Sequence, residues 1–180
     1  MKRLNPAAFS DAYTVRGLTP ADVPAVLRLM QGNVLYFQYC GGDAVPSEES
    51  IRRDMSIVPG NKTLEDKYYV GFFRDETLAA IMDLIDGYPE DNIAFVGFFM
   101  MNESMQGTGE GTKIISGLCA KLKALGIRRI RLGIDKGNPQ STHFWKKNGF
   151  QVIREVPQET GTILLAERIL TGCDETEKRG

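Results

Sequence analysis

The run Gln106-Gly107-Thr108-Gly109-Glu110-Gly111-Thr112 places three glycines and two threonines between an apolar segment and an amphipathic one. The chemistry open to such a run is anion binding. A strand that passes through glycines into a helix leaves main-chain N–H groups unpaired, and the helix dipole adds partial positive charge to them. Missing Cβ atoms let a phosphate come close. Thr108 and Thr112 offer two further hydroxyl donors. A Walker loop is excluded, because Gly111 is followed by Thr112 and then Lys113. A dinucleotide fingerprint would need its third glycine where Thr112 stands. On the residues alone, a flexible turn without a ligand is the competing reading.

Carboxylates form the second set. Asp83 is flanked by Ile81, Met82, Leu84 and Ile85, where a charge needs a partner or a task. Asp86 follows at the strand end, and Glu103 follows the apolar run of residues 93–101. Such groups can take a proton from an amine or anchor a cation without moving one. The plainer alternatives put Asp83 on a solvent face and make Glu103 a loop charge.

The elements that must carry these groups read as follows. Residues 12–18 suit a first strand. Thr19, Pro20 and Asp22 then start a helix whose apolar stripe is Val23, Val26, Leu27 and Met30. The pattern breaks near Gly32, and an aromatic stretch with Tyr36, Phe37 and Tyr39 runs to Gly41-Gly42. Ser47 caps a second helix through Ile51 and Met55, closed by Pro59-Gly60. Residues 68–73 and 78–86 alternate with polar turns as paired strands. Residues 93–101 read as a strand buried on both faces. From Gly109 the period becomes helical, with Ile114, Ile115, Leu118, Cys119, Leu122 and Leu125 on one face and Gly126 as the stop. A strand over residues 130–134, a helix from Asn138 or Ser141 to Asn148-Gly149, and strands 150–156 and 162–169 complete the chain.

The expectation is a mixed α/β (α+β) fold of one domain over residues 1–180, with residues 1–10 and 171–180 frayed. Its central sheet would have six to seven strands, mainly antiparallel, flanked by helices. At 180 residues, 42% hydrophobic and 25% charged, the chain has the makeup of a globular domain. A net charge of −1 gives no field toward nucleic acid or lipid. Cys40, Cys119 and Cys173 form neither a disulfide framework nor a zinc pattern, and a single histidine, His143, excludes a multi-histidine metal site. With no apolar run behind the basic start and none long enough for a bilayer, a cytoplasmic location is expected.

Two motifs carry a resemblance. Gln106-Gly107-Thr108-Gly109-Glu110-Gly111 resembles the Gln/Arg-x-x-Gly-x-Gly/Ala pyrophosphate motif of GNAT N-acetyltransferases. Residues 138–150, Asn-Pro-Gln-Ser-Thr-His-Phe-Trp-Lys-Lys-Asn-Gly-Phe, resemble that superfamily's second motif. The resemblance implies a splay between the two central strands and acetyl-CoA as cosubstrate. Its pantetheine would run along Phe99, Met100 and Met101, with its pyrophosphate on the amides of residues 106–112. Asn138, Ser141, Phe144 and Trp145 would line the thiol end, and Lys147 would reach toward the nucleotide phosphate. The acceptor implied is a small primary amine attacking directly in a ternary complex, with Asp83 or Glu103 as base and Tyr36, Tyr39, Asp86 and Tyr88 around it. A backbone N–H near Met101 would polarise the carbonyl. The superfamily's frequent acid, a tyrosine, is replaced here by Trp145, whose indole N–H donates a hydrogen bond but is no acid. An acyl-CoA sensor with little turnover and a protein-amine acetyltransferase are the alternatives. The assembly would be a monomer or homodimer without nucleic acid, membrane or metal.

Overall fold

A computed structural model describes residues 4–40 and 45–170. The Gly41-Gly42 stop, Cys173 and the tail from residue 171 lie outside the described residues. Seven strands form one sheet in the order β1-β2-β3-β4-β5-β7-β6. They are β1 (Thr14–Gly17), β2 (Lys67–Arg74), β3 (Thr77–Asp86), β4 (Ile93–Met101), β5 (Arg129–Asp135), β6 (Gln151–Gln158) and β7 (Gly161–Ile169). Every neighbouring pair is antiparallel except β4 and β5, which are parallel. The helices are α1 (Val23–Gly32), α2 (Val34–Tyr39), α3 (Glu48–Ser56), α4 (Glu110–Ala124) and α5 (Pro139–Lys147).

Local signals explain most of these boundaries. The Thr19 amide donates to Asp22 Oδ2 at 2.8 Å, closing the first turn before α1. Ser47 accepts from the Ser50 amide at the start of α3, and Asn138 does the same for Ser141 at the start of α5. Helix α4 ends in a paired motif. Ile127 N–H reaches Leu122 O and Gly126 N–H reaches Lys123 O, both at 3.0 Å, with Gly126 at φ 91°.

The two faces of the sheet bury separate cores. Helix α4 packs Ile114, Ile115, Leu118, Cys119 and Leu122 against Val70, Phe72, Met82, Leu84, Val96 and the apolar residues of β5. Each such aliphatic side chain contributes about 1.5–3 kcal/mol on burial. On the other face α1 and α3 set Val23, Val26, Leu29, Met30 and Ile51 against Tyr69, Ile81 and Met100.

Four expectations are corrected. The start does not fray throughout: Leu4 and Phe9 are buried, with a 3-10 turn at Pro6–Ala8 between them. Leu125 is 49% exposed, because the helix stops there and the chain reverses so that Ile127 is buried in its place. The aromatic stretch at residues 34–39 is a helix of its own, split from α1 at Asn33. Strand β4 is not buried on both faces beyond Val96, where Gly97 is exposed and Phe98 and Phe99 are half-buried.

That last difference has a structural cause. Pairing of β4 with β5 runs only from Ile93↔Arg129 to Val96↔Leu132. On the other side of β4 the register to β3 jumps from Leu84↔Val96 to Asp83↔Phe98, so Gly97 is the extra residue of a bulge. The bulge bends β4 away from β5 at the point where their pairing stops. The two central strands are therefore splayed from Gly97 onward.

Candidate active site

The mouth of the splay is the N-terminus of α4. Gly107 and Gly109 lie at φ 72° and 81°, backbone that L side chains rarely adopt. The first helical hydrogen bond is Lys113 N–H to Gly109 O. Among the described residues the amides of Gly107 through Thr112 have no protein acceptor. An anion placed there meets a row of free donors at the positive end of a fifteen-residue helix.

From this mouth a cavity of about 320 Å³ runs into the splay. Phe99, Met100 and Met101 of β4 form one wall. Asn102 N–H points to β3 and donates to Ala79 O at 2.7 Å. By strand alternation the amides of Met101 and Phe99 point the other way, into the gap. The second wall is α5, through Asn138, Ser141, Phe144 and Trp145. Phe144 stacks on Phe99 at 5.9 Å, and Trp145 meets Phe99, Phe144 and Phe150 edge-on at 5.0–5.9 Å. Gln106, Gly107, Gly109, Gly111, Thr112 and Lys147 border the cavity near its mouth. Gly111 is needed for space, since a Cβ there would lie 3.1 Å from Phe144.

Two residues of the glycine run contribute only main chain. Thr108 Oγ1 donates to Met105 O at 2.6 Å, so its hydroxyl is engaged locally. Glu110, a carboxylate at the edge of an anion cradle, is turned away and neutralised. Tyr13 Oη donates to its Oε2, Lys113 Nζ lies 2.9 Å from Oε1, and Arg74 lies 2.7 Å from Oε2. Those partners hold its pKa down at about 2. Its carboxylate therefore favours the folded state above the ordinary glutamate range, and that contribution is lost as pH falls through about 2. Arg74→Ala releases this charge toward the cradle. Affinity for coenzyme A then falls about two- to fivefold at low salt and less at high salt. Glu110→Gln in the same background restores it, as titration at two ionic strengths would register.

The acceptor-side candidates divide. Tyr36 lines the cavity, with its ring edge-on to Phe98 at 5.7 Å. Asp83 does not line the cavity; it lies on β3 opposite Phe98, where a Cβ on Gly97 would lie 3.1 Å from Asp83 Oδ2. It does not face open solvent: its side chain is 15% exposed, and Lys67 Nζ, 4% exposed, contacts Oδ2 at 2.6 Å. Asp83 Oδ1 is buried with no partner among the described residues. Burial pushes the carboxyl pKa up against the opposing pull of Lys67.

The remaining candidates, like Asp83, do not line the cavity. Glu103 is exposed in a neighbouring cleft with Arg28 and Gly32, because the turn after β4 carries it to the α1 side. Tyr39 is 40% exposed, one turn beyond Tyr36 on the outer side of α2. Asp86 is buried opposite Ala94, at the start of β4 and far along the strand from Met101. Tyr88 packs on Phe95 at 5.6 Å, toward that same end.

Sequence reasoning missed Asn33. Its Nδ2 donates to Leu29 O at 2.9 Å and Met101 O at 3.1 Å, and its Oδ1 accepts from Gln106. It ties the end of α1 to both the last residue of β4 and the glycine run. The only local signal was the break after Gly32. His143 borders the cavity with its side chain exposed.

A strand pair that parts at a bulge, with free helix amides at its mouth, defines a cleft protein for an extended ligand with an anionic end. The family comparison gives that class a name. Residues 36–150 match the model of the acetyltransferase (GNAT) family, and the chain belongs to it. The family is one of acyltransferases that use acetyl-CoA. An acetyltransferase from Thermus thermophilus is 25% identical with TM-score 0.69, covering 86% of this chain and 95% of that one. A ribosomal L7/L12 alpha-N-protein acetyltransferase in complex with coenzyme A is 22% identical with TM-score 0.67, covering 89% and 96%. The ribosomal-protein-S18-alanine N-acetyltransferase of Escherichia coli is 15% identical with TM-score 0.62, covering 91% and 97%. No curated protein sequence matches the chain. No helix among the described residues is long and apolar enough to cross a membrane.

Proposed function

We propose that this protein transfers the acetyl group of acetyl-CoA to a small primary amine by direct attack in the splay between β4 and β5. The observation that carries the reading is the row of unpaired amides from Gly107 to Thr112 at the mouth of the cavity between β4 and α5. The diphosphate of acetyl-CoA would take those amides. Its pantetheine amides would pair with Phe99 and Met101 as an added strand, between the aromatic walls of β4 and α5. The thioester would then lie near the Gly97 bulge. Free main-chain N–H groups of β4 would polarise its carbonyl, and Asp83 would take the proton of the incoming amine. The roof formed by α2 over the gap narrows the acceptor side, which favours a small acceptor over a protein chain.

Trp145 in place of a tyrosine favours one other reading, an acyl-CoA sensor that turns over little. Thiol release from acetyl-CoA across a panel of primary amines separates the two. Release well above the uncatalysed rate supports transfer, and tight binding with silence throughout supports the sensor. Binding itself has a sharper check. Gly109→Val puts a β-branched residue at φ 81°, at a cost of about 1–2 kcal/mol, and sets its side chain in the space an anion needs. Titration calorimetry should show acetyl-CoA bound at least about tenfold more weakly, since each factor of ten is about 1.4 kcal/mol. Undiminished binding would remove the cradle from the account.

A further inference from the structure

We propose that a second cleft, between α1 and the β2–β3 turn, binds a free diamino acid, with one carboxylate and two ammonium groups on an unbranched chain. The cavity there holds about 390 Å³, within the range of small-molecule sites. Three elements enclose it: α1, the turn between β2 and β3, and the turn after β4. From α1 come Ala25, Arg28, Leu29 and Gly32, a stripe at helical spacing. The cleft stands back to back with the cavity between β4 and α5. Gly32 and Ser104 line the first, and their chain neighbours Asn33 and Met105 line the second. The inference stands whatever occupies that second cavity.

The charges of the cleft point to a ligand. Arg28, Glu76 and Glu103 enter its lining from the three elements, one from each. Among the described residues none of these side chains has a hydrogen bond or an ion pair. Glu103 nevertheless lies close to the helix, since a Cβ on Gly32 would be 3.2 Å from its Oε2. Arg28 stands one turn earlier on the same stripe. Opposite charges so near each other, with no ion pair between them, are both free for a third group. The cleft also has an apolar floor, because Leu29 and Leu78 are buried and Phe73 is half-buried.

Complementarity fixes the class of ligand. One cation and two anions on the wall match one anion and two cations on the guest. An α-amino acid carries its carboxylate and its ammonium on one carbon, and Arg28 and Glu103 meet at one turn of α1. The α-carboxylate takes Arg28 and the α-ammonium takes Glu103. A short methylene chain then lies on the apolar floor, and the terminal ammonium meets Glu76 in the β2–β3 turn. A plain diamine leaves Arg28 unmatched, and a neutral amino acid leaves Glu76 unmatched. All three charged side chains are exposed, so each contact is worth little and the affinity is millimolar and salt-sensitive.

L-lysine is the probe, titrated by calorimetry into the protein at low salt without coenzyme A. Cadaverine lacks the carboxylate and L-norleucine lacks the terminal ammonium. Each should bind about two- to fivefold more weakly than L-lysine, the worth of one exposed ion pair. Two variants assign the contacts. In Arg28→Ala, L-lysine should lose its advantage over cadaverine, and in Glu76→Gln its advantage over L-norleucine. Both side chains are exposed, so neither substitution threatens the fold. Neither residue borders the cavity between β4 and α5, so both variants should bind acetyl-CoA as the wild type does. If the wild type takes up no L-lysine, or binds all three compounds equally, the proposal is overturned. It also falls if both variants bind L-lysine undiminished, because the amino acid would then sit elsewhere on the protein.

Discussion

Asp83→Asn lowers turnover of acetyl-CoA with a primary amine by about a hundred- to ten-thousandfold, the usual worth of a positioned base. Affinity for acetyl-CoA stays where it was, because Asp83 borders neither the amides at the mouth nor the aromatic walls. The substitution is gentle on the fold: asparagine keeps the shape and an oxygen that accepts from Lys67, whose Nζ lies 2.6 Å from Asp83 Oδ2. What it removes is proton affinity at Oδ1, the oxygen left without a partner beside the bulge. The pH profile tells a base from a structural carboxylate. Burial raises the Asp83 pKa, so the wild-type rate has an acid limb set above the ordinary carboxylate range, and that limb disappears in Asp83→Asn. The deficit also shrinks at high pH, where the amine is already uncharged. A variant with full turnover at neutral pH would leave Asp83 as nothing more than the counter-ion of Lys67.

How far the sequence reaches toward this site depends on the range of each interaction. The cradle is local. Glycines at residues 107 and 109 followed by a helical apolar period state both the strained turn and the helix it opens, and the free amides follow from the helix start. Asn138 before Pro139, and Gly126 and Gly149 after their helices, are legible for the same reason. The face on which Asp83 lies is not legible. From Ile81 to Ile85 its neighbours are all apolar, so the strand lacks the alternation that assigns sides. The bulge at Gly97 shifts the register by one residue and is a property of the pairing with β3, not of β4 alone. The splay and the position of Asp83 beside Gly97 are both decided there.

Contacts between distant segments were the other blind spot. Lys67 reaches Asp83 because β2 and β3 pair with Lys67 opposite Ile85, two positions along the same face. Glu110 is collected by Tyr13 and Arg74 from β1's approach and the end of β2, which rescues an acidic residue in a phosphate motif. Cys40, 95 residues before Asp135, meets it only because a short helix at residues 34–39 crosses the gap. Tyr36 was picked out as an aromatic near the acceptor. Its place on the cavity wall needed α2, β4 and α5 to be assembled first. Residue type announced the chemistry at each of these points, and the partner that sets its strength came from elsewhere in the chain.

Lys67→Met tests the partner that sets the strength of Asp83. Removing one side of a buried ion pair costs about 3–5 kcal/mol, and this pair is buried, with side chains 4% and 15% exposed. Without the ammonium, the carboxylate keeps its burial and its repulsion from Asp54, the two influences that already raise its pKa. The pKa therefore climbs further. A carboxyl whose folded pKa exceeds its unfolded one, about 3.9 for aspartate, holds its proton more tightly in the native state. Its contribution favours the fold below the unfolded pKa and is lost as pH rises through the folded pKa. The wild type shows a modest form of this decline. Lys67→Met extends it to higher pH, so denaturant melts should find the variant much weaker at pH 8 than at pH 5, both relative to the wild type. Adding Asp83→Asn to Lys67→Met removes the ionisable group, so the extra pH dependence vanishes and part of the stability returns. An equal loss at both pH values, unaltered by the second substitution, would mean that Lys67 acts through its packing and leaves the Asp83 proton alone.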